Sequence, residues 1–391
     1  MQSDPVSSPG RDIASERRSP LHRVHLDAGA SFTDFAGWQM PVRYTSDLAE
    51  HHAVRSTAGL FDLSHMAEIL VTGPDAAAFL DYALAGTLST IPLWRAKYSL
   101  LLNEAGGIID DLVVYRLGET TFLVVANAGN RFQAASALAE RTEGFQVTVE
   151  DRSDEYALIA VQGPASRAIV EATAGITDLG ATLDSLKYYR ATDALFSGQP
   201  LLVARTGYTG EDGFELYLPT ESATALWAAL SDAGAARGLV PAGLASRDTL
   251  RLEAGMPLYG HELDSETFPV QAGLGRVLST AGDFVGRAAV ERGPQPDAPV
   301  LVALAGSGKR AARAGYQVYP AAESGSVQEH ADGPIGRITS GALSPTLGHP
   351  IALGYVHPRY AEPGTELQVD IRGTRIPFTV TTAPFYSRKK I

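Results

Sequence analysis

Two adjacent carboxylates, Asp110 and Asp111, interrupt the run Gly106-Gly107-Ile108-Ile109-Asp110-Asp111-Leu112-Val113-Val114-Tyr115, which otherwise has the content of a buried strand. Aspartate is disfavoured in strands and costly in a core. Because successive strand side chains face opposite ways, one of the pair can be wet while the other points into a pocket or core. A functional carboxylate there would sit beside a cation or a carbon that becomes cationic. A bulge or turn, with both carboxylates capping backbone amides, accommodates the same residues, and both readings stand.

A second acid, Glu215, closes the segment Arg205-Thr206-Gly207-Tyr208-Thr209-Gly210-Glu211-Asp212-Gly213-Phe214-Glu215-Leu216. Flanked by Phe214 and Leu216, it alternates against apolar neighbours and must face solvent or a ligand. A ligand with two parallel N–H donors would suit it, since a carboxylate accepts such a fork bidentately. A third segment, Ser246-Arg247-Asp248-Thr249-Leu250-Arg251-Leu252-Glu253-Ala254-Gly255, puts Arg247 and Arg251 four apart on one helix face. There a structural ion pair with Asp248 competes with an anion site, and taken alone the structural account is favoured.

The elements that must position these groups are legible in outline. Strands are expected over 68–72, 97–103, 108–117 and 121–127, and helices over 130–141, 165–174, 221–237 and 244–254. This is an α+β pattern. Helical signal ends near Glu291, and three prolines within 293–299 mark a linker. Short strands punctuated by glycine follow, at 300–304, 317–319, 335–339, 351–356, 367–371 and 376–381, and predict a separate C-terminal β-barrel or sandwich. The expected division is a disordered lead-in over 1–20, a two-subdomain region over 21–292 and the β domain over 300–391.

Other chemistries lose their support. The chain of 391 residues contains no cysteine, which removes disulfides, thiolate nucleophiles and cysteine metal sites. A net charge of −12 argues against a general nucleic-acid binder. No stretch approaches the roughly 20 apolar residues of a membrane helix, so a soluble, cytoplasmic protein is expected. Of the 32 basic residues only five are lysine, a bias that suggests a GC-rich bacterial genome. Gly308-Lys309 lacks the first glycine and the Ser or Thr of a phosphate loop. His261-Glu262 lacks the second histidine of a zinc pair, because Ser265 stands in its place. No metal site is expected. His65, in Asp62-Leu63-Ser64-His65-Met66, reads as a base or, with more weight, as a hydrogen-bonded structural histidine.

Together these segments resemble the aminomethyltransferase T-protein family of the glycine cleavage system. The resemblance includes Asp34-Phe35-Ala36-Gly37-Trp38-Gln39-Met40-Pro41, Gly59-Leu60-Phe61-Asp62-Leu63-Ser64-His65-Met66 and Gly336-Arg337-Ile338-Thr339-Ser340-Gly341-Ala342-Leu343-Ser344-Pro345-Thr346-Leu347-Gly348, and runs from about Leu21 to Tyr386. It implies two intertwined α+β subdomains forming a folate-binding channel, with a C-terminal β-barrel. It implies transfer of a one-carbon unit from the aminomethyl-loaded lipoyl arm of an H-protein to tetrahydrofolate, with release of ammonia. Residue by residue, it places Asp111 at the reactive nitrogens, Glu215 at the 2-amino and N3–H edge of the pterin, and Arg247 in the folate pocket. Met66, Tyr98, Tyr115, Asn127 and Tyr188 match positions lining the channel, and Arg388 with Lys389 and Lys390 would hold the glutamate tail. Two alternatives are carried: another tetrahydrofolate-dependent demethylase of the same fold, and a folate-binding regulatory protein without turnover.

Overall fold

The computed structural model describes residues 17–321 and 333–388. Two sheets lie face to face. One is five-stranded and antiparallel throughout, in the order Arg95–Leu102, Ile108–Arg116, Thr121–Ala126, Ala67–Thr72, Thr148–Asp151. Ile69, Val71, Leu112, Val114 and Val124 of this sheet share a core with Phe79 and Leu80 of the helix Ala76–Ala83 and with Ala134 and Leu138 of the helix Arg131–Glu140.

The other sheet has seven strands, in the order Ile176–Thr177, Ala191–Phe196, Gln199–Ala204, Gly213–Pro219, Tyr156–Gln162, Ala58–Asp62, Leu239–Pro241, with only the last pair parallel. The helices Ser166–Ala172 and Ala223–Ala235 pack against it through Ile169, Leu226, Trp227 and Leu230. Tyr115, Leu123 and Val125 of the first sheet meet Phe61, Leu158, Ala160 and Tyr217 of the second in a shared core. Covering both faces removes apolar area from water at roughly 25 cal/mol per Å². It also explains why Tyr156–Gln162 reads as an apolar run rather than an alternating strand.

The expected intertwining is present. Ala58–Asp62 pairs within the seven-stranded sheet, the chain then crosses to build the whole five-stranded sheet, and it returns at Tyr156–Gln162 beside the strand it left. Leu63 to Met66 make that crossing.

One boundary differs from expectation. The expected lead-in over 1–20 lies outside the described residues only as far as 16: Arg17–Arg18 pairs with Trp38 and Gln39, and the Ser19 hydroxyl donates to the buried Asp62. The Arg17 guanidinium sits 4.4 Å from the Trp38 ring centre and 2.7 Å from Asp154. These partners are remote in sequence, so local composition gave no sign of them. The C-terminal domain, left open between barrel and sandwich, is a closed six-stranded barrel in the order Val300–Gly306, Pro350–Val356, Gly336–Leu343, Gln317–Pro320, Glu366–Ile371, Thr374–Thr381. Leu304, Val318, Ile338, Leu367, Val369 and Phe378 belong to its core.

The helix Leu244–Glu253 joins the barrel to the sheets. Arg251, 1% exposed, donates to Glu262 at 3.0 Å, to Ser340 of the barrel at 2.7 Å and to the Met256 carbonyl at 3.1 Å. Glu253, also buried, accepts from Ser344 and Thr346 of the barrel and from Arg55. The ion pair expected with Asp248 also forms, at 2.8 Å. Arg251→Leu would leave the buried Glu262 carboxyl without its ion-pair partner, and is expected to cost about 3–5 kcal/mol of stability. Urea unfolding of the variant checks this; a midpoint equal to the parent's would show that the pair contributes nothing net.

Candidate active site

A cavity of about 490 Å³ lies between the sheets, the crossing segment Leu63 to Met66 and the helix Leu244–Glu253, with Asp111, Glu215 and Arg247 all in its wall. Each of these side chains is delivered by a local feature. The pairing of Arg95–Leu102 with Ile108–Arg116 slips between Leu101 and Leu102, because Leu101 lies opposite Asp110 while Leu102 lies opposite Ile108. This is a β-bulge at Ile109, and such bulges re-aim the next side chains. Asp110 turns away from the cavity and is completely buried; Asp111 turns into it. The expected bulge is present, and one carboxylate of the pair faces the cavity while the other is buried behind it.

Asp110 accepts from the Asn127 amide N–H at 3.0 Å, from Asn127 Nδ2 at 2.8 Å and from Asn130 Nδ2 at 2.7 Å. Asp111 Oδ2 accepts from the Tyr98 hydroxyl at 2.9 Å, and Oδ1 accepts from Asn127 Nδ2 at 2.9 Å. Burial pushes both carboxyls above the usual carboxylate range, Asp110 to about 7 with help from the Asp111 charge, while the amide and hydroxyl donors oppose the shift. Burial also drives the Tyr98 phenol well above its ordinary value, so it remains a donor to Asp111.

Glu215 follows the glycine-rich turn, and the turn is held by Gln162. A Cβ on Gly207 would stand 2.0 Å from Gln162 Oε1, and one on Gly213 would stand 2.4 Å from Gln162 Cδ. Only glycine lets the backbone wrap this closely around Gln162, whose Nε2 donates to the Thr206 carbonyl at 3.1 Å. Thr206 in turn donates its hydroxyl to Glu215, and the Tyr115 hydroxyl lies 2.9 Å from the Thr206 hydroxyl. Burial raises the Glu215 carboxyl, against the Thr206 hydrogen bond and the Arg247 charge.

Arg247 lies with its guanidinium 5.0 Å from the Tyr208 ring centre, and its Nη1 is buried without a hydrogen-bond partner. His65 is likewise buried, its Nδ1 unpartnered and its ring edge-on to Phe35 at 5.3 Å. Buried polar atoms are nearly always satisfied, so orphans in a cavity wall call for an occupant. The wall therefore offers the carboxylates of Asp111 and Glu215, with Asp248 at the Arg251 side, an unpaired guanidinium N–H and a neutral imidazole. This is a donor and acceptor set suited to a flat heterocycle with a polar edge.

The comparisons with known proteins agree over the whole fold. The GCVT N-terminal domain matches residues 21–281, and the glycine cleavage T-protein C-terminal barrel domain matches residues 300–387. The chain belongs to the glycine cleavage T-protein family. It is 56% identical over 379 residues to an aminomethyltransferase of Cutibacterium acnes, an alignment covering 95% of this chain and 99% of the relative. With an aminomethyltransferase of Saccharopolyspora erythraea the identity is 52%, over 96% and 100% of the two chains. The crystal structure of glycine cleavage system aminomethyltransferase T from Bartonella henselae superposes with a TM-score of 0.84 at 36% identity, covering 95% of this chain and 98% of that one.

Of the residues assigned by resemblance to the T-protein family, the structure gathers Met66, Tyr98, Asp111, Tyr115, Asn127, Glu215 and Arg247 around one cavity. It does not bring Tyr188 or Arg388 into that wall. Tyr188 is 45% exposed, and its neighbour Tyr189 lines the cavity instead. Tyr189 adopts a left-handed backbone with φ of 62°, a local reversal that strand alternation does not anticipate. Arg388 is tethered to Asp212 at 3.2 Å and lies close enough to Tyr188 for its charge to act on that phenol. Lys389 and Lys390 lie outside the described residues.

Sequence reasoning missed Thr206, Tyr189 and Tyr208, and left His65 between a base and, with more weight, a hydrogen-bonded structural histidine. Thr206, Tyr208 and His65 were present as polar and aromatic residues inside blocks already singled out, while Tyr189 was adjacent only to the single assigned residue Tyr188. Among the described residues no cluster of three or more His, Asp or Glu is placed to hold a metal ion, and no helix is long and apolar enough to cross a membrane.

Burial holds the His65 imidazole down at about 4 from its usual 6.5. Between those values the unfolded chain binds a proton that the folded one does not, so this contribution to stability is present above pH 6.5 and lost as pH falls toward 4. His65→Gln is expected to flatten that loss. Thermal midpoints measured across the window test it, and an unaltered slope would mean that His65 is not buried neutral.

Proposed function

We propose that the cavity is the transfer site of an aminomethyltransferase that moves a one-carbon unit from a lipoyl arm of a partner H-protein to tetrahydrofolate. The observation that carries the reading is the placement of Asp111 and Glu215 in one cavity wall, each held by hydroxyl or amide donors. In the reaction the carbon–sulfur and carbon–amine bonds break, and two carbon–nitrogen bonds to the folate form. The two protons displaced from the folate nitrogens leave on the sulfur and on ammonia.

This chain's contribution is positional and electrostatic. Asp111, its carboxylate fixed by Tyr98 and Asn127, stabilises positive charge as it develops on the carbon leaving sulfur. Glu215 accepts the 2-amino and N3–H fork of the pterin, and the orphaned Nη1 of Arg247 supplies a donor beside it. Tyr98, Tyr115 and Tyr189 give flat apolar walls against the ring system. The exposed Tyr188 and the half-buried Arg388 lie outside that wall and suit the flexible anionic tail of the ligand.

Purified protein supplied with tetrahydrofolate and aminomethyl-loaded H-protein is expected to release ammonia in proportion to methylene-tetrahydrofolate formed. Absence of ammonia, with demethylation of a free small molecule instead, would assign the chain to a demethylase of the same fold. Folate binding with neither activity would leave a regulatory protein.

A further inference from the structure

The buried Asp110 takes no direct part in that scheme, yet it is one of the most completely hydrogen-bonded carboxylates near the cavity. Its three donors all come from the turn after Thr121–Ala126: the Asn127 backbone, Asn127 Nδ2 and Asn130 Nδ2. Asn127 Nδ2 also lies 2.9 Å from Asp111 Oδ1 and 3.0 Å from the Asp111 carbonyl. With three acceptors around one nitrogen, the orientation of this amide is dictated, because the reverse orientation would set a carbonyl oxygen against all of them. One N–H is consumed by Asp110, and the other is thereby aimed at Asp111.

We propose that Asp110 is a positioning residue that acts through Asn127, locking the amide whose second N–H holds the Asp111 carboxylate toward the cavity. The inference rests on the assignment of Asp111 to the reaction. Without Asp110 the Asn127 amide loses one of its three acceptors, and only the Asp111 carbonyl and Oδ1 remain to orient it, so its aim at the Asp111 carboxylate loosens. Asp110 never meets the cavity, so its loss changes the aim of the reacting carboxylate and not the contacts of the folate. A plain structural brace would behave differently, lowering stability and leaving turnover alone.

The test is a kinetic cycle on the full chain with tetrahydrofolate and aminomethyl-loaded H-protein. Asp110→Asn is expected to lower kcat by about 10-fold or more, the scale of a misaimed catalytic group, with KM for tetrahydrofolate within about 2-fold. Asp110→Glu keeps the carboxyl group but shifts its oxygens by one methylene, and is expected to lose rate in the same way. If D110E retains the parent rate while D110N does not, the presence of a carboxyl and not its position is responsible and the proposal is overturned. Asn127→Ala is expected to be as slow as D110N, and D110N/N127A no slower than N127A alone within about 2-fold, because both changes break one chain. Multiplying effects would overturn the proposal, as would a parent-like kcat in D110N with a lowered thermal midpoint. Where D110N is insoluble, D110E with N127A completes the same cycle. Failure of the underlying assignment shows separately, as full activity in Asp111→Asn.

Discussion

Asp111→Asn is expected to lower turnover by about 10²-fold or more while folate affinity stays within several-fold, the loss typical of one positioned electrostatic group. The surroundings make this substitution unusually clean. Asp111 receives one bond from an amide N–H of Asn127 and one from the Tyr98 hydroxyl. An asparagine can keep its oxygen toward Asn127 and place its own amide toward Tyr98, whose hydroxyl can rotate to accept. The packing survives and the charge is removed. Because burial already raises this carboxyl, loss of the charge is expected to leave the thermal midpoint unchanged or slightly higher. Single-turnover ammonia release measured beside folate titration checks both halves. An unchanged rate would remove Asp111 from the mechanism.

For Glu215→Gln the expected effect falls on binding instead. Glu215 is held from behind by the Thr206 hydroxyl, which can also accept, so a glutamine fits the same space. One of its two terminal positions becomes a donor, however, and would face either Thr206 or the donor edge of the pterin. Tetrahydrofolate binding is expected to weaken by about 1–3 kcal/mol, the cost of leaving a buried polar group mismatched. That corresponds to roughly 5- to 150-fold in Kd. Isothermal titration with the variant decides it, and an unaltered affinity would make Glu215 a bystander of the cavity wall.

The contrast between these two acids and the rest of the site shows what a sequence can carry. Glu215 was legible because a carboxylate alternating with Phe214 and Leu216 has only two places to go. The Asp110–Asp111 pair was legible as an anomaly, but which member faces the ligand is settled by a bulge at Ile109, and the sequence permitted either. Tyr188 and Tyr189 differ by a single left-handed residue that no periodicity encodes. The network behind the crossing segment was not legible at all. There His25 Nε2 lies 2.8 Å from Asp62, and its Nδ1 lies 2.9 Å from the Tyr44 hydroxyl. Its members come from Ser19 to Asp62, and their contacts form only once the N-terminal helix packs on the seven-stranded sheet. The same holds for Arg251, whose partner Ser340 lies 89 residues away in the barrel. The four strands and four helices expected before residue 255 were placed to within a few residues, because they are strongly patterned, whereas the helices Asp47–Ser56 and Ala76–Ala83 and the strands Ala58–Asp62, Ala191–Phe196 and Gln199–Ala204 were not foreseen. The barrel was foreseen as short strands, but closure depends on pairing Val300–Gly306 with Thr374–Thr381, a contact that strand composition does not specify.

A structure of the protein with tetrahydrofolate bound tests the assignment most directly. The expected result is a pterin seated in the cavity with its 2-amino and N3 edge on the Glu215 carboxylate and its two reactive nitrogens within hydrogen-bond reach of Asp111. A folate bound elsewhere, or one in the cavity with those nitrogens turned away from Asp111, would contradict it.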